Sequence, residues 1–189
     1  FVSFLDQRLA PELFLQVNNK AQSSELKAFL SERGLEVLPL MSTEAVISKQ
    51  PAELFGIKIG DTYRENWRFL DALENPWDTV HLGKAIIVNE QFARRTNLWV
   101  GDQVSINPNF WLPIAAIVGD YGNPKGQVII NEKLFGNLYP QLYPDRFGIR
   151  TDNPAELQSQ IINQIGIDKN SIIDQNSLKE FSMEVFERT

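Results

Sequence analysis

The chain has 189 residues and a formal net charge of -6 at pH 7, and 43% of its residues are hydrophobic. This is the composition of a folded globular protein, and its acidity argues against a nucleic-acid partner, which needs a basic surface. The absence of cysteine excludes disulfides and thiolate metal sites, and the single histidine, His81, excludes a histidine-rich metal site. No apolar run approaches the about 20 residues that a bilayer-spanning helix needs.

The first elements form a β-α-β pattern. The apolar run "ELFLQV" (12–17) predicts a strand, and "LEVLPLMS" (35–42) predicts a second one. Between them, Ser23 or Ser24 can cap a helix that Gly34 ends. Three apolar residues share one face of this predicted helix: Leu26, Phe29 and Leu30.

About a hundred residues of different character follow. Helical spacing of Trp67, Leu70 and Leu73 predicts a helix that Pro76 breaks. Four segments rich in β-branched residues between turn residues predict strands: 84–90, 103–108, 112–121 and 126–132. The segments "EQFARRTNL" and "EKLFGNLYPQLYP" predict short helices. This region is expected to be β-rich.

The β-α-β pattern returns near the end of the chain. "RFGIRT" (146–151) and "SIIDQ" (171–175) predict strands. Asn153 and Pro154 begin the helix between them, and Gly166 ends it. An apolar stripe is formed by Leu157, Ile161 and Ile165. "NSLKEFSMEVFERT" then begins a further helix, so we expect that the sequence continues in a longer protein.

Two β-α-β units that flank a different middle region predict an α+β fold. Packed side by side, the units make a four-stranded sheet with helices on one face, the split β-α-β or ferredoxin-like layout. We assign residues 1–50 and 140–189 to this α/β lobe, and residues 51–139 to an inserted β-rich lobe. The two chain ends should then lie close together.

The residues that could carry chemistry are better explained as turns. Asp61, Asp102 and Asp120 each follow a glycine at the end of an apolar run, which is typical of tight turns and not of one convergent metal site. The glycine-rich "GDYGNPKGQ" lacks the features of a phosphate-binding loop. His81 has no nucleophile elbow to serve. We therefore predict no catalytic, cofactor-binding or metal-binding residue.

Aromatic residues supply the candidate partner surface. All four tryptophans lie in the middle region, and aromatic side chains are enriched at the centres of protein interfaces. Core packing is the alternative explanation for them. The residues that we nominate for a partner surface are Trp67, Trp77, Phe110 and Trp111.

One motif resembles a known family. The segment "VNEQFARRTNLWVGD" (88–102), followed by a strand that ends in "IVGDY" (117–121), resembles the MacB-like periplasmic core domain of FtsX-like ABC-transporter permeases. The family often has glycine where this chain has Asn97. The likeness covers residues 84–135 by motif, and the flanking β-α-β units by the order of their elements.

The resemblance implies a two-lobed periplasmic domain of an inner-membrane protein, with a porter lobe and an inserted sabre lobe. Transmembrane helices would lie before Phe1 and after Thr189. They would connect the domain to a cytoplasmic ATPase and to a second permease subunit. The domain itself would have no cofactor and no catalysis, and it would transmit ATP-driven movement to a periplasmic substrate or partner.

Two other functions remain open from the residues alone. A hydrolase that uses carboxylates, and His81 as a base, predicts a deep pocket with convergent groups of shifted pKa. A free-standing periplasmic ligand-binding protein predicts an apolar groove near Trp67, Trp77 or Trp111.

Overall fold

The computed structural model describes residues 11–175, so the helix predicted from residue 176 lies outside the described residues. The chain is an α+β fold, as predicted, and it divides into two compact units. The first unit combines the chain up to Pro39 with the chain from Tyr143, and the second is Leu40–Leu142.

The elements in chain order are β1 (Leu13–Gln16), α1 (Lys20–Glu32), β2 (Glu36–Ile47), β3 (Gln50–Ile57), α2 (Asp61–Asn66), β4 (Phe69–Ala72), α3 (Pro76–His81), β5 (Ile86–Asn89), α4 (Glu90–Thr96), β6 (Gln103–Asn107), β7 (Phe110–Val118), β8 (Gln127–Asn131), α5 (Glu132–Leu138), β9 (Arg146–Arg150), α6 (Pro154–Gln160) with a π-helical extension (Ile161–Ile165), a 3-10 turn (Lys169–Ser171) and β10 (Ile172–Asp174).

The first unit has the predicted split β-α-β layout. Its strand order is β10-β1-β9-β2, and β1 pairs antiparallel with both β9 and β10. α1 and α6 contribute to one apolar core, so they cover the same face of the sheet. The fully buried members of that core are Leu13, Leu15, Leu26, Leu30, Ile149 and Ile161.

The helix ends of the first unit follow local capping rules. α1 begins earlier than predicted because Asn19 caps it, accepting a hydrogen bond from the Gln22 backbone N–H at 2.8 Å. Ser23, one of the predicted caps, is buried instead, and its hydroxyl donates to the Pro144 carbonyl at 2.6 Å. Asn153 caps α6 as predicted.

A hairpin that the sequence analysis missed opens the second unit. β2 and β3 pair antiparallel from Leu40 with Ile57 to Ile47 with Gln50. The two turn residues, Ser48 and Lys49, have φ of 45° and 67°, although neither is the glycine or asparagine that usually signals such a turn. Leu40–Ile47 pair with β3, and the second unit begins at Leu40, whereas the boundary predicted from the sequence lies at residue 50.

The remaining strands of the second unit surround β8 and β7. β8 pairs parallel with β3 and antiparallel with β5, while β5 pairs parallel with β7. The first half of β7 pairs with β6 and the second half with β4, which is the last strand in the sheet order. All four strands predicted in this region are therefore present, and β3 and β4 are additional.

The helix predicted around Trp67, Leu70 and Leu73 is wrong. α2 ends at Asn66, and the segment from Phe69 to Ala72 becomes β4 instead. This segment pairs with β7, and the hydrogen bonds between the two strands favour the strand although the apolar residues have helical spacing. Among the described residues, no helix is long and apolar enough to cross a membrane.

The core of the second unit packs α4 and α5 against its strands. Phe92 of α4 is 1% exposed, and Phe135 of α5 is fully buried. Gly56 lets Phe135 approach β3, because a Cβ built on that glycine would lie 2.5 Å from the Phe135 Cβ. Gly126 faces Phe92 in the same way, but less closely, at 3.4 Å.

Candidate functional site

Two of the four residues nominated for a partner surface lie in the core. Trp67 and Trp77 are each 6% exposed, and their ring centroids are 5.7 Å apart. Tyr63 and Phe69 complete the cluster, with centroids 5.6 to 5.8 Å from the neighbouring rings. These aromatic pairs stabilise the second unit where α2 and α3 meet. Trp67 and Trp77 are therefore not part of an exposed surface.

The other two residues begin β7, immediately after the turn of the β6–β7 hairpin. Trp111 is 56% exposed, whereas Phe110 is half-buried and packs against the core of the second unit. Trp111 pairs with Ser105 across the hairpin, and a bulge lies between Ser105 and Asn107. The Trp111 indole is thus exposed to water, while the neighbouring Phe110 packs its hairpin against the core.

The tip of the β2–β3 hairpin lies against this hairpin. The Ser48 N–H donates to the Ser105 carbonyl at 3.1 Å, and the Ser105 N–H donates to the Ser48 hydroxyl oxygen at 3.0 Å. Val46, close to the same tip, is 69% exposed. We call residues 46–50 and 105–111 the hairpin tips. Val46 was not nominated from the sequence, because the predicted strand ended at residue 42 and the β2–β3 hairpin was not predicted.

Local structure accounts for two of the three Gly-Asp pairs. Asp102 accepts a hydrogen bond from the Trp99 N–H at 2.8 Å, and its own N–H donates to the Trp99 carbonyl at 3.0 Å. Asp61 is the first residue of α2, where a negative charge is favoured by the helix dipole. Asp102 therefore closes a turn, whereas Asp61 lies in the first turn of a helix and its side chain makes no capping hydrogen bond.

The third Gly-Asp pair belongs to a polar network. Asp120 is 2% exposed, and its Oδ2 accepts hydrogen bonds from the side-chain amides of Asn89 at 3.2 Å and Asn123 at 2.8 Å. The Gln91 amide donates to the carbonyls of Asp120 and Asn123 at 2.9 and 2.7 Å. The network holds the glycine-rich loop against α4. Among residues 11–175, no three His, Cys, Asp or Glu side chains are grouped as metal ligands.

His81 lies at a surface depression of about 600 Å³ in the second unit. The lining residues are Ile57, Lys58, Ile59, His81, Leu82, Gly83, Asn131, Glu132, Lys133, Leu134 and Asn137. Asp78, the carboxylate nearest to His81 in the sequence, pairs instead with Arg64 at 2.8 Å.

Burial raises the pKa of Asp145, which belongs to the first unit, against the opposing effect of the Arg146 charge.

Comparison with known proteins identifies the fold. No protein-family model and no curated protein matches the chain. The solved structure of the periplasmic region of MacB from Actinobacillus actinomycetemcomitans matches with a TM-score of 0.62 and 14% identity, over 90% of this chain and 91% of that one. The match spans both units.

Two further solved structures share the fold. One is the extracellular domain of the noncanonic ABC-type transporter YknZ from Gram-positive bacteria, with a TM-score of 0.58 and 11% identity over 86% of this chain and 97% of that one. The other is a domain of a putative permease protein from Porphyromonas gingivalis, with a TM-score of 0.51 and 10% identity over 88% and 91%. The predicted resemblance to the MacB-like periplasmic domain is thus confirmed for the fold.

Proposed function

We propose that this chain is the extracytoplasmic domain of an ABC-type permease, and that it transmits ATP-driven movement of transmembrane helices to a periplasmic substrate or partner. The fold shared with a periplasmic region of MacB, an extracellular domain of an ABC-type transporter and a domain of a putative permease supports this kind of function. In this proposal ATP is hydrolysed by a separate cytoplasmic subunit, and the permease works as a pair. The domain contributes no catalytic group.

The observation that carries the proposal is the pairing of β1 with β10. Leu13 pairs with Asp174, and the Gln175 N–H donates to the Glu12 carbonyl at 3.0 Å. Glu12 and Gln175, at the two ends of the described residues, are therefore neighbours. Two membrane helices attached there would act on adjacent strands of one sheet.

The first unit is built to pass such a movement on without deforming. Leu13 and Leu15 of β1 are fully buried in the core, and close-packed cores shift as rigid bodies. The chain enters the second unit within β2, after Pro39, and returns after Leu142. In the proposed mechanism each unit moves as a body, and the change in position is what the partner senses.

The hairpin tips are the proposed contact with the periplasmic partner. Trp111 and Val46 expose large apolar surfaces there, and half-buried Phe110 fixes the hairpin that carries Trp111. A rigid, exposed indole is the kind of side chain that dominates interface energies. Trp67 and Trp77, buried in the core, stabilise the unit that carries this surface.

Location and topology test the proposal. A single cysteine in place of exposed Lys27, in an otherwise cysteine-free full-length protein, should react with an impermeant maleimide in intact spheroplasts. The labelled protein should sediment with membranes and co-purify with an ATPase subunit. Labelling that requires lysis would contradict the extracytoplasmic assignment.

Photocrosslinking tests the contact surface separately. Benzoylphenylalanine in place of Trp111 in the full-length protein should give a discrete crosslinked partner in cells. The matched control is Tyr121, an aromatic residue that is 87% exposed and lies outside the hairpin tips. Equal crosslinking from both positions, or none from position 111, would contradict this surface.

A further inference from the structure

We propose that the depression beside His81 binds a single-chain amphiphile with an anionic head group. The proposal concerns the second unit alone and does not depend on the transport function. It rests on the position of the depression in the sheet, on its apolar floor, on its unpaired lysines and on the hydrogen bonds that hold it open.

The depression lies at the carboxyl ends of the parallel strands β3 and β8. Ile57 at the end of β3 pairs in register with Asn131 at the end of β8, so both strands stop at the same edge. In open α/β sheets, ligands commonly bind outside the carboxyl ends of parallel strands, and β3 and β8 form one such parallel pair within a mostly antiparallel sheet. The volume of about 600 Å³ lies within the range of small-molecule sites.

Apolar side chains form the floor and one side of the rim. Ile57 is fully buried and Ile59 is 9% exposed, and both line the depression. Leu82, directly after α3, also lines it but is 64% exposed. Covering an exposed leucine with an alkyl chain removes apolar surface from water, which favours binding.

The charged residues favour an anionic head group. Lys58 and Lys133 line the depression and are exposed, and within residues 11–175 neither forms an ion pair. Glu132 is the one carboxylate among the lining residues. Two unpaired lysines against one glutamate give a local positive excess in a chain whose net charge is -6. Ammonium groups attract anionic head groups as point charges, and the nearby apolar floor suits the attached chain.

The depression is held in shape by the asparagine that caps α5. The Asn131 Oδ1 accepts a hydrogen bond from the Leu134 N–H at 2.8 Å, and its Nδ2 donates to the His81 carbonyl at 2.6 Å. One side chain therefore ties the end of α3 to the start of α5. A site whose walls are fixed in advance loses less free energy on binding.

Calorimetry with four amphiphiles of equal chain length tests the proposal on the 189-residue chain. Dodecanoate should bind below its micelle concentration with a stoichiometry of one, whereas dodecanol and dodecyltrimethylammonium should bind at least about fivefold more weakly. Dodecyl phosphate distinguishes a site for phosphate head groups from a site for carboxylate head groups. Binding equal to that of dodecanoate indicates a site that accepts either one. Equal affinity for all head groups, or no binding below micelle formation, would overturn the proposal.

Variants connect any binding to this depression. Lys58→Glu combined with Lys133→Glu should weaken dodecanoate binding at least about fivefold, while Lys27→Glu, an exposed lysine of the first unit, should not. Leu82→Asp should weaken binding, and the matched change of exposed Val46→Asp should not. Because all of these positions are exposed, unchanged thermal unfolding is expected and is measured alongside. Loss of affinity in the control variants to the same extent would contradict the site.

Discussion

β5 with α4 and β8 with α5 are two versions of one local arrangement in the second unit. The sequences "IIVNEQF" (86–92) and "VIINEKL" (128–134) match in pattern, and the strands pair antiparallel with each other. Each strand ends in an asparagine whose side chain caps the following helix. The two asparagines nevertheless have different surroundings.

Asn89 is 2% exposed and satisfies four partners. Its Oδ1 accepts from the backbone N–H groups of Phe92 at 3.0 Å and Gln127 at 2.8 Å. Its Nδ2 donates to the Asp120 carboxylate at 3.2 Å and to the Lys125 carbonyl at 2.8 Å. Asn131, by contrast, is partly exposed and lines the depression. The same motif thus supports the core at one position and shapes a surface at the other.

The largest difference should appear on removing the buried cap. Asn89→Ala leaves the N–H groups of Phe92 and Gln127 buried without acceptors, and it breaks the network around Asp120. We expect a loss of about 3 kcal/mol in the free energy of unfolding, measured by urea denaturation. A loss no greater than that of Asn131→Ala would show that the two sites do not differ.

The glycines that face the two helices give the next contrast. Gly56→Ala would place a Cβ 2.5 Å from the Phe135 Cβ, and we expect a loss of about 2 kcal/mol from overpacking. Gly126→Ala meets Phe92 only at 3.4 Å, so the loss should be smaller. Thermal unfolding of each variant, compared with that of the unmodified chain, measures the two losses of stability. Equal losses would mean that Phe92 and Phe135 approach the two glycines equally closely.

Removing the exposed cap should cost less. Asn131→Ala loses the helix cap and the bond to the His81 carbonyl, both at a partly exposed site, and we expect about 1 kcal/mol. The same variant should weaken dodecanoate binding, because α3 and α5 are no longer tied together. Urea denaturation and calorimetry measure the two effects. An unchanged affinity for dodecanoate would show that the Asn131 cap does not determine the shape of the depression.

The smallest effect concerns the end of α4. Asn97 has φ of 56°, whereas Tyr139 at the end of α5 has φ of -131°. Asn97→Gly, the residue that the resembling family often has, should therefore change stability by less than about 0.5 kcal/mol, and Asn97→Ala should lower it by about 1 kcal/mol. If Asn97→Ala were as stable as Asn97→Gly, the assignment of a left-handed backbone conformation to residue 97 would be wrong.

The parts of the fold that could be predicted are those whose signals are local. Gly34, Asn153 and Gly166 mark helix ends by their own backbone and hydrogen-bonding chemistry, so the first unit followed from the sequence. The turn at Ser48 and Lys49 carries no such signal, and β3 was missed. The spacing of Trp67, Leu70 and Leu73 predicted a helix, but Phe69–Ala72 forms a strand because it pairs with β7, which is distant in the sequence.

The candidate sites show the same limit. Which aromatic residues are exposed depends on packing between elements, so the sequence could not separate Trp111 from Trp67. The depression brings together Lys58, His81 and Lys133, which are far apart in the sequence. Only strand register and helix placement make them neighbours.

Movement of the two units during the ATPase cycle tests the central claim most directly. These 189 residues contain no cysteine. In a full-length protein from which any other cysteine has been removed, spin labels at Lys27→Cys and Arg94→Cys therefore report one distance between the units in membranes. We predict that this distance changes between ATP-bound and nucleotide-free states, while the distance between labels at Glu74→Cys and Arg94→Cys, both in the second unit, does not. An unchanged distance between the units, with ATP hydrolysis intact, would contradict the mechanical account.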